Sequence, residues 1–434
     1  MSRSKYWLAV IWFSIVGSIV LVQSGQYKGT MYKPTSSKPD LVIELTGRYY
    51  VGVKHLLAGN PALKNILPQL EQAFRKIHRN GIQLSSIPVL AELPGRETAL
   101  RELRRIAENQ DKVTGAGDIT IFQKLYTEGS DALDSEERLT LERYGWLGKL
   151  ALSQDKPDTD PERRAVLKSA SRTVLILGIY LISIIVFLLG GLVLLIVAIV
   201  RWIKGKLKSR LLIPDNPGSP LLESFAIFSV LSIVIPFLIL KIAPGFSIAA
   251  FISYILFMLL SIPWLLIHGA GWKDCRTALG WNLGKGFFRE IGSGILGVIA
   301  GLPLLFCALI AGAILSRLTG VVPHQHPGIN ALGRSPILLF IAVCVWAPFT
   351  EETLFRGALY GYLRRSLSWV VSGIISGLIF AMFHPQGWVA APVLGTVGFI
   401  LAAIREWRGS NIASMTAHAM INGMAALVVS FGLS

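Results

Sequence analysis

Apolar residues along this chain gather into nine long runs: Tyr6–Val22, Thr173–Val200, Leu222–Leu240, Phe246–His268, Ile291–Ser316, Ser335–Ser366, Leu367–His384, Ala391–Ile404 and Asn411–Leu433. At ~1.5 Å per helical residue, the longer runs can each cross a hydrocarbon core of ~30 Å, with tilt. One long stretch breaks the pattern. Residues 23–170 are polar, and within them Leu63, Ile66, Leu67, Leu70, Phe74 and Ile77 recur at helical spacing. Leu100, Leu103 and Ile106 repeat the pattern, and Asp134 with Glu137 reads as a capping box opening a further helix. Pro94-Gly95 and residues 157–161 read as loops. The fold class that follows is all-α: a polytopic helical membrane protein of about nine spans with an N-terminal helical extramembrane domain. Its expected parts are a signal-anchor helix (1–22), an extracytoplasmic domain (23–170) and a multi-span domain (171–434).

Composition agrees. Of 434 residues 52% are hydrophobic and 16% charged, where a soluble protein carries about 25% charged residues. The net charge of +16 matters through its placement. Arg201, Lys204, Lys206, Lys208 and Arg210 follow the second run at once, which marks a cytoplasmic end and a surface that can meet membrane lipids. Counting from a cytoplasmic N-terminus puts residues 23–170 outside and places Arg364-Arg365 and Arg405/Arg408 on the cytoplasmic side. Nothing in the pattern calls for nucleic acid. Val22-Gln23-Ser24 can also be read as a leader cleavage site, but the first run is longer than an h-region of roughly 7–15 residues, so an uncleaved anchor is expected. Cys275, Cys307 and Cys344 are far apart and form no CxxC pair, so they read as small buried hydrophobes.

Three lesser motifs have plain explanations. Gly115-Ala116-Gly117-Asp118 lies in a polar stretch without a matching intramembrane aspartate. Gly292-Ser293-Gly294-Ile295-Leu296-Gly297 follows no strand and sits inside a span, where small residues serve close helix packing. His324 and His326 lie in an exposed Pro/Gly-rich loop and read as loop residues.

Ionisable groups inside the last runs are another matter, because charge in an apolar layer is costly and rarely kept without a task. Glu351-Glu352 precede Arg356, Phe380 precedes His384, and His418 precedes Asn422, each pair spaced four apart on one helix face. Glu352 and Arg356 stand in the favourable order for an ion pair. Glu351 lies ~100° further round the helix, which leaves it available to take a proton. By helical rise Glu351 sits roughly 21 Å from Arg365, His384 roughly 26 Å from Leu367, and His418 and Asn422 roughly 11 and 17 Å from Asn411. The groups can therefore meet near mid-membrane, with Pro348 bending one helix and Pro385 ending another at His384. A carboxylate and an imidazole can activate water, and a second His with an Asn can steady an oxyanion. Glu351, His384 and His418 could alternatively hold a divalent metal such as zinc, though no HExxH is present.

The trio EExxxR, FxxxH and HxxxN resembles the CPBP family, which holds the type II CAAX prenyl endopeptidases and the bacteriocin-processing or Abi proteins. The match covers roughly 335–433 and fills every motif position: Glu351, Glu352, Arg356, Phe380, His384, His418 and Asn422. The resemblance implies an intramembrane endopeptidase cutting a membrane-associated or lipidated, CAAX-like peptide. Glu351 and His384 would activate the water, His418 and Asn422 would stabilise the oxyanion, and Arg356 and Phe380 would support them. It leaves a metal-dependent and a metal-free mechanism both open. A bacterial plasma-membrane protein is expected. The competing reading is a non-catalytic bacteriocin-immunity or membrane scaffold protein of the same fold.

Overall fold

The computed structural model describes residues 2–24, 41–61, 84–93, 95–108, 116–214, 219–242, 260–268, 271–321 and 336–431, with the short pieces 65–66, 68–70, 72 and 323 between them. Among them there is no strand, and the chain is an all-α membrane protein. The helices are α1 (Ser2–Gln23), α2 (Leu41–Leu56), α3 (Ile87–Glu92), α4 (Arg96–Ala107), α5 (Ala116–Glu128), α6 (Ser135–Glu142), α7 (Trp146–Leu152) and α8 (Pro161–Ile203). They continue with α9 (Ser219–Ile242), α10 (Pro263–Ile267), α11 (Trp272–Ala278), α12 (Phe287–Thr319), the composite α13 (336–363), α14 (Trp369–Met382), α15 (Ala391–Arg408) and α16 (Asn411–Phe431).

Among the described residues five helical stretches are long and apolar enough to cross a membrane: Tyr6–Gln23, Pro161–Ile203, Ser219–Leu238, Phe287–Thr319 and Trp388–Arg408. The expected span Phe246–His268 falls mostly outside the described residues, as do His324, His326, Gly115 and most of the apolar series from Leu63 to Ile77. The expected span Leu367–His384 becomes α14, which has only 14 residues. That is ~21 Å, short of a ~30 Å core.

The chain divides into two compact units, Met1–Lys33 with Ile185–Phe431, and Pro34–Ile184. The polar-to-apolar change near residue 170 falls within the second of these units. Nothing between Pro161 and Thr173 breaks a helix, so α8 runs unbroken through that point for 43 residues.

In the unit Pro34–Ile184, Leu103, Phe122, Leu141, Leu147 and Leu150 are fully buried. The buried carboxylate of Glu92 accepts two hydrogen bonds of 2.9 Å from Nη2 of Arg163. Asp118 accepts from the Tyr144 hydroxyl at 2.7 Å, which gives the aspartate of the lesser motif a structural partner. The capping box is present: Asp134 accepts from the Glu137 N–H at 2.8 Å, and Glu137 accepts from the Asp134 N–H at 2.9 Å. Lys124 donates to Glu137 at 2.8 Å, and this bond above all holds the Glu137 carboxyl below its ordinary range. A depressed carboxyl stabilises the folded state above its unfolded pKa, and the gain is lost as pH falls through the folded value. Asp134→Ala is expected to destabilise α6 by about 1 kcal/mol. Faster amide exchange confined to 135–142 in the full chain checks it, and unchanged exchange there counts against it.

The membrane unit is glued by small residues and an aromatic cluster. A Cβ on Gly377 would stand 2.6 Å from the Gly395 carbonyl oxygen, so α14 and α15 meet backbone to backbone. Gly294 and Gly297 bring α12 as close to α16 and α15, whereas Gly292 touches nothing. Phe355 meets Phe225 and Phe380 edge-on, with centroids 5.0 and 5.1 Å away. Cys275 and Cys344 are buried as expected, but Cys307, on α12, is exposed among the described residues.

Candidate active site

The helix carrying the two glutamates is not a regular α-helix. Pro348 has no N–H to bond the carbonyl four residues back. Just before it the ladder slips: Ala342–Trp346 is π-helical, and the Ala347 N–H bonds Ala342, five residues back. A second π stretch, Glu352–Leu359, carries the EExxxR motif from its second glutamate onward. Such insertions are frequent at functional sites. The spacing of the motif by itself predicts α geometry here. The pairing that follows from that geometry still forms, because residues four apart remain close to one turn apart in the wider coil.

Arg356 Nη1 lies 3.1 Å from Glu352 Oε1, with both side chains fully buried. His418 Nδ1 donates to the same oxygen at 2.9 Å. Its other nitrogen, Nε2, lies 3.8 Å from Glu351 Oε2, too far for a direct hydrogen bond. The imidazole thus stands between the two carboxylates, fixed to one and facing the other. Oε2 of Glu351 is buried and has no hydrogen bond to the described protein.

Phe380 is the hub. Its ring centroid is 4.5 Å from the Arg356 guanidinium carbon, 4.4 Å from the His384 ring and 5.7 Å from the His418 ring. The cation–π contact and the two ring contacts explain why an aromatic residue stands four before the histidine. His384 Nδ1 bonds the Phe380 carbonyl oxygen at 2.7 Å. A carbonyl only accepts, so Nδ1 carries a proton and Nε2 is the acceptor of the neutral ring. Asn422 Nδ2 donates to the Val343 carbonyl at 2.8 Å, inside the first π stretch. The structure therefore brings Glu351, Glu352, Arg356, Phe380, His384 and His418 into one connected group. Asn422 is held one turn further along α16.

Residues with no motif support this group. Asn411, at the start of α16, donates through Nδ2 to the carbonyls of Leu279 at 2.6 Å and Glu352 at 3.0 Å, and its own N–H bonds Gly280 at 2.9 Å. It ties the glutamate helix to the His418 helix. Trp281 donates to Thr353 Oγ1 at 3.0 Å, and Thr353 donates on to Phe349 at 2.7 Å. In the sequence Asn411 marks only the start of a span, and a helix-starting Asn after Gly409-Ser410 is its one local signal.

The basic pairs read as topology markers also pack. Arg408 forks onto Glu290 at 2.9 and 2.6 Å, and Arg364 onto Glu406 at 3.1 and 3.0 Å. Arg405 is fully buried and donates to the Ala278 carbonyl at 3.1 Å. Gly280, at φ 72°, leaves it room: a Cβ there would stand 2.6 Å from the guanidinium carbon.

The expected metal donors do not converge. Among the described residues no three His, Cys, Asp or Glu side chains are placed to hold a metal ion. His418 has turned one nitrogen to Glu352, and His384 has given Nδ1 to Phe380. Both bonds are of the kind that orients an imidazole whose other nitrogen meets a metal or a water, so they suit either mechanism.

Comparison with known proteins falls on this same region. Residues 333–424 match the family model described as type II CAAX prenyl endopeptidase Rce1-like, a protease family. Among curated proteins, an uncharacterized protein of Bacillus subtilis (strain 168), YpbD, is 29% identical over 96 residues. The aligned stretch is 22% of this chain and spans about half (47%) of that relative. No solved structure matches. Every motif side chain of the connected group lies within 333–424, so the match to the Rce1-like family model falls on the same three motifs that carry the resemblance to the CPBP family.

Proposed function

We propose that this protein is an intramembrane endopeptidase that hydrolyses a peptide bond of a membrane-associated or lipidated, CAAX-like substrate. The observation that carries the reading is the unequal pair of carboxylates. Oε2 of each is buried without a hydrogen bond among the described residues, but Glu352 is tied through Oε1 by Arg356 and His418, whereas Glu351 comes no nearer to a cationic side chain than the 3.8 Å to His418. A fixed carboxylate beside an available one is what general base chemistry needs.

In the proposed reaction Glu351 takes a proton from water, with the acceptor Nε2 of His384 sharing its orientation. The hydroxide attacks the scissile carbonyl, and its oxygen becomes the oxyanion. His418, as an imidazolium anchored on Glu352, offers Nε2–H to that oxygen. Asn422 offers the second N–H of its amide, the first being on Val343. Glu351 then returns the proton to the leaving amine, so the protons balance. The substrate reaches this group within the membrane. The N-terminus lies in the cytoplasm of a bacterial cell and residues 23–170 lie outside, consistent with the basic residues after α8.

The test is cleavage of prenylated and unprenylated membrane peptides by the full chain in lipid vesicles, followed by mass spectrometry. Cleavage by the wild type and its loss in both Glu351→Ala and His384→Ala is expected. Unchanged cleavage in both variants overturns the proposal and leaves the scaffold reading.

A further inference from the structure

The end of α14 poses a hydrogen-bond problem. The helix stops after 14 residues, and the chain then turns through His384 and Pro385. Phe383 and His384 still donate to Ile379 and Ala381, at 3.1 Å each. The last carbonyls have no helical donor, and Pro385 has no N–H to offer. In an apolar layer such carbonyls need a partner.

A residue more than 350 positions away supplies it. Gln23, the last residue of α1, donates through Nε2 to the carbonyl of Met382 at 2.8 Å and to that of His384 at 3.1 Å. Two acceptors can be met only by the nitrogen end of the amide, so its orientation is set by chemistry. The opposite end of α1 is held as well: Trp7 donates to Glu223 at 3.1 Å. Between them Ile11, Ile15 and Ser18 are buried, Ile15 completely. The first helix is thus pinned at both ends inside the membrane unit.

We propose that Gln23 is a positioning residue for His384, and that the first helix is for this reason a permanent member of the candidate active site. The inference rests on the peptidase reading above. The His384 ring hangs from the last turn of α14 by its bond to the Phe380 carbonyl, so the turn that Gln23 fixes also fixes where Nε2 points. A shift of about 1 Å in a catalytic group costs up to ~100-fold in rate.

Gln23→Met keeps the length and removes the donor. Measured on the full chain in vesicles, it is expected to lower kcat about ten- to hundredfold with KM little changed. Gln23→Lys, which restores an N–H donor of similar reach, is expected to recover part of the loss, and Gln23→Glu none. Loss of packing alone predicts no ranking by donor. N-terminal sequencing of the purified protein is expected to find residues 1–23 attached. A wild-type kcat in Gln23→Met overturns the proposal, as does an active protein lacking those residues. Should Gln23→Met fail to fold, equal activity of the Lys and Glu variants overturns it. Cleavage at the wild-type rate by both Glu351→Ala and His384→Ala sinks the peptidase reading itself. An inactive Glu351→Ala beside a fully active Gln23→Met sinks this inference alone.

Discussion

Glu351→Gln is expected to lower kcat by about 10²–10⁴-fold, the usual weight of a general base, with almost no change in thermal midpoint. The reason for the asymmetry is local. Glu351 Oε2 accepts no hydrogen bond from the described protein, and its nearest charged neighbour, His418 Nε2, is 3.8 Å away. An isosteric amide therefore gives up little structure while it loses the ability to hold a proton. The same change one residue later behaves differently. Glu352 Oε1 meets both Arg356 and His418, so Glu352→Gln weakens an ion pair and lets the imidazole turn. Its loss of activity should come with a loss of stability. Steady-state cleavage in vesicles beside thermal unfolding in the same lipid separates the two cases. Activity in Glu351→Gln within a few fold of wild type would place the base elsewhere.

The parts of this protein legible in its sequence are those fixed by short-range rules. Spacing of four put Glu352 on Arg356, and the pair forms at 3.1 Å. Asp134 and Glu137 at capping-box spacing form that box. Pro385 stops α14 where a residue without an N–H must. What stayed hidden depends on partners distant in the chain. The π stretches of α13 flank Pro348 and pack against α16 and α9, partners that helical spacing alone does not reveal. Asn411 bonds carbonyls 132 and 59 positions away, and no local pattern marks such a tie. Arg405 and Arg408 read only as topology markers because Glu290 and the carbonyl of Ala278 are invisible from their neighbourhood. The continuity of α8 past residue 170 stayed hidden for the opposite reason. Composition changes near residue 170, but helix formation there is indifferent to whether the side chains are polar or apolar.

Arg356→Met should be the most destabilising single change in the membrane unit, by about 3–5 kcal/mol, because it strands a buried carboxylate. Arg356 and Glu352 are both fully buried, and Arg356 also donates to the Gly398 carbonyl at 3.2 Å and lies over the Phe380 ring. Methionine fills much of the volume but returns none of these contacts. The cost arises from the charge left behind, so removing that charge should relieve it. The double variant Glu352→Gln with Arg356→Met is expected to regain most of the lost stability, as buried pairs replaced on both sides generally do. It should not regain activity. His418 would keep a neutral acceptor in place of the carboxylate that orients it, and Nε2 would no longer be held toward Glu351. Unfolding midpoints of the two single variants, the double variant and the wild type close the cycle, with cleavage rates measured on the same samples. A single Arg356→Met variant as stable as wild type would mean that Glu352 is not charged in the folded protein, and the division of labour between the two glutamates would fall with it.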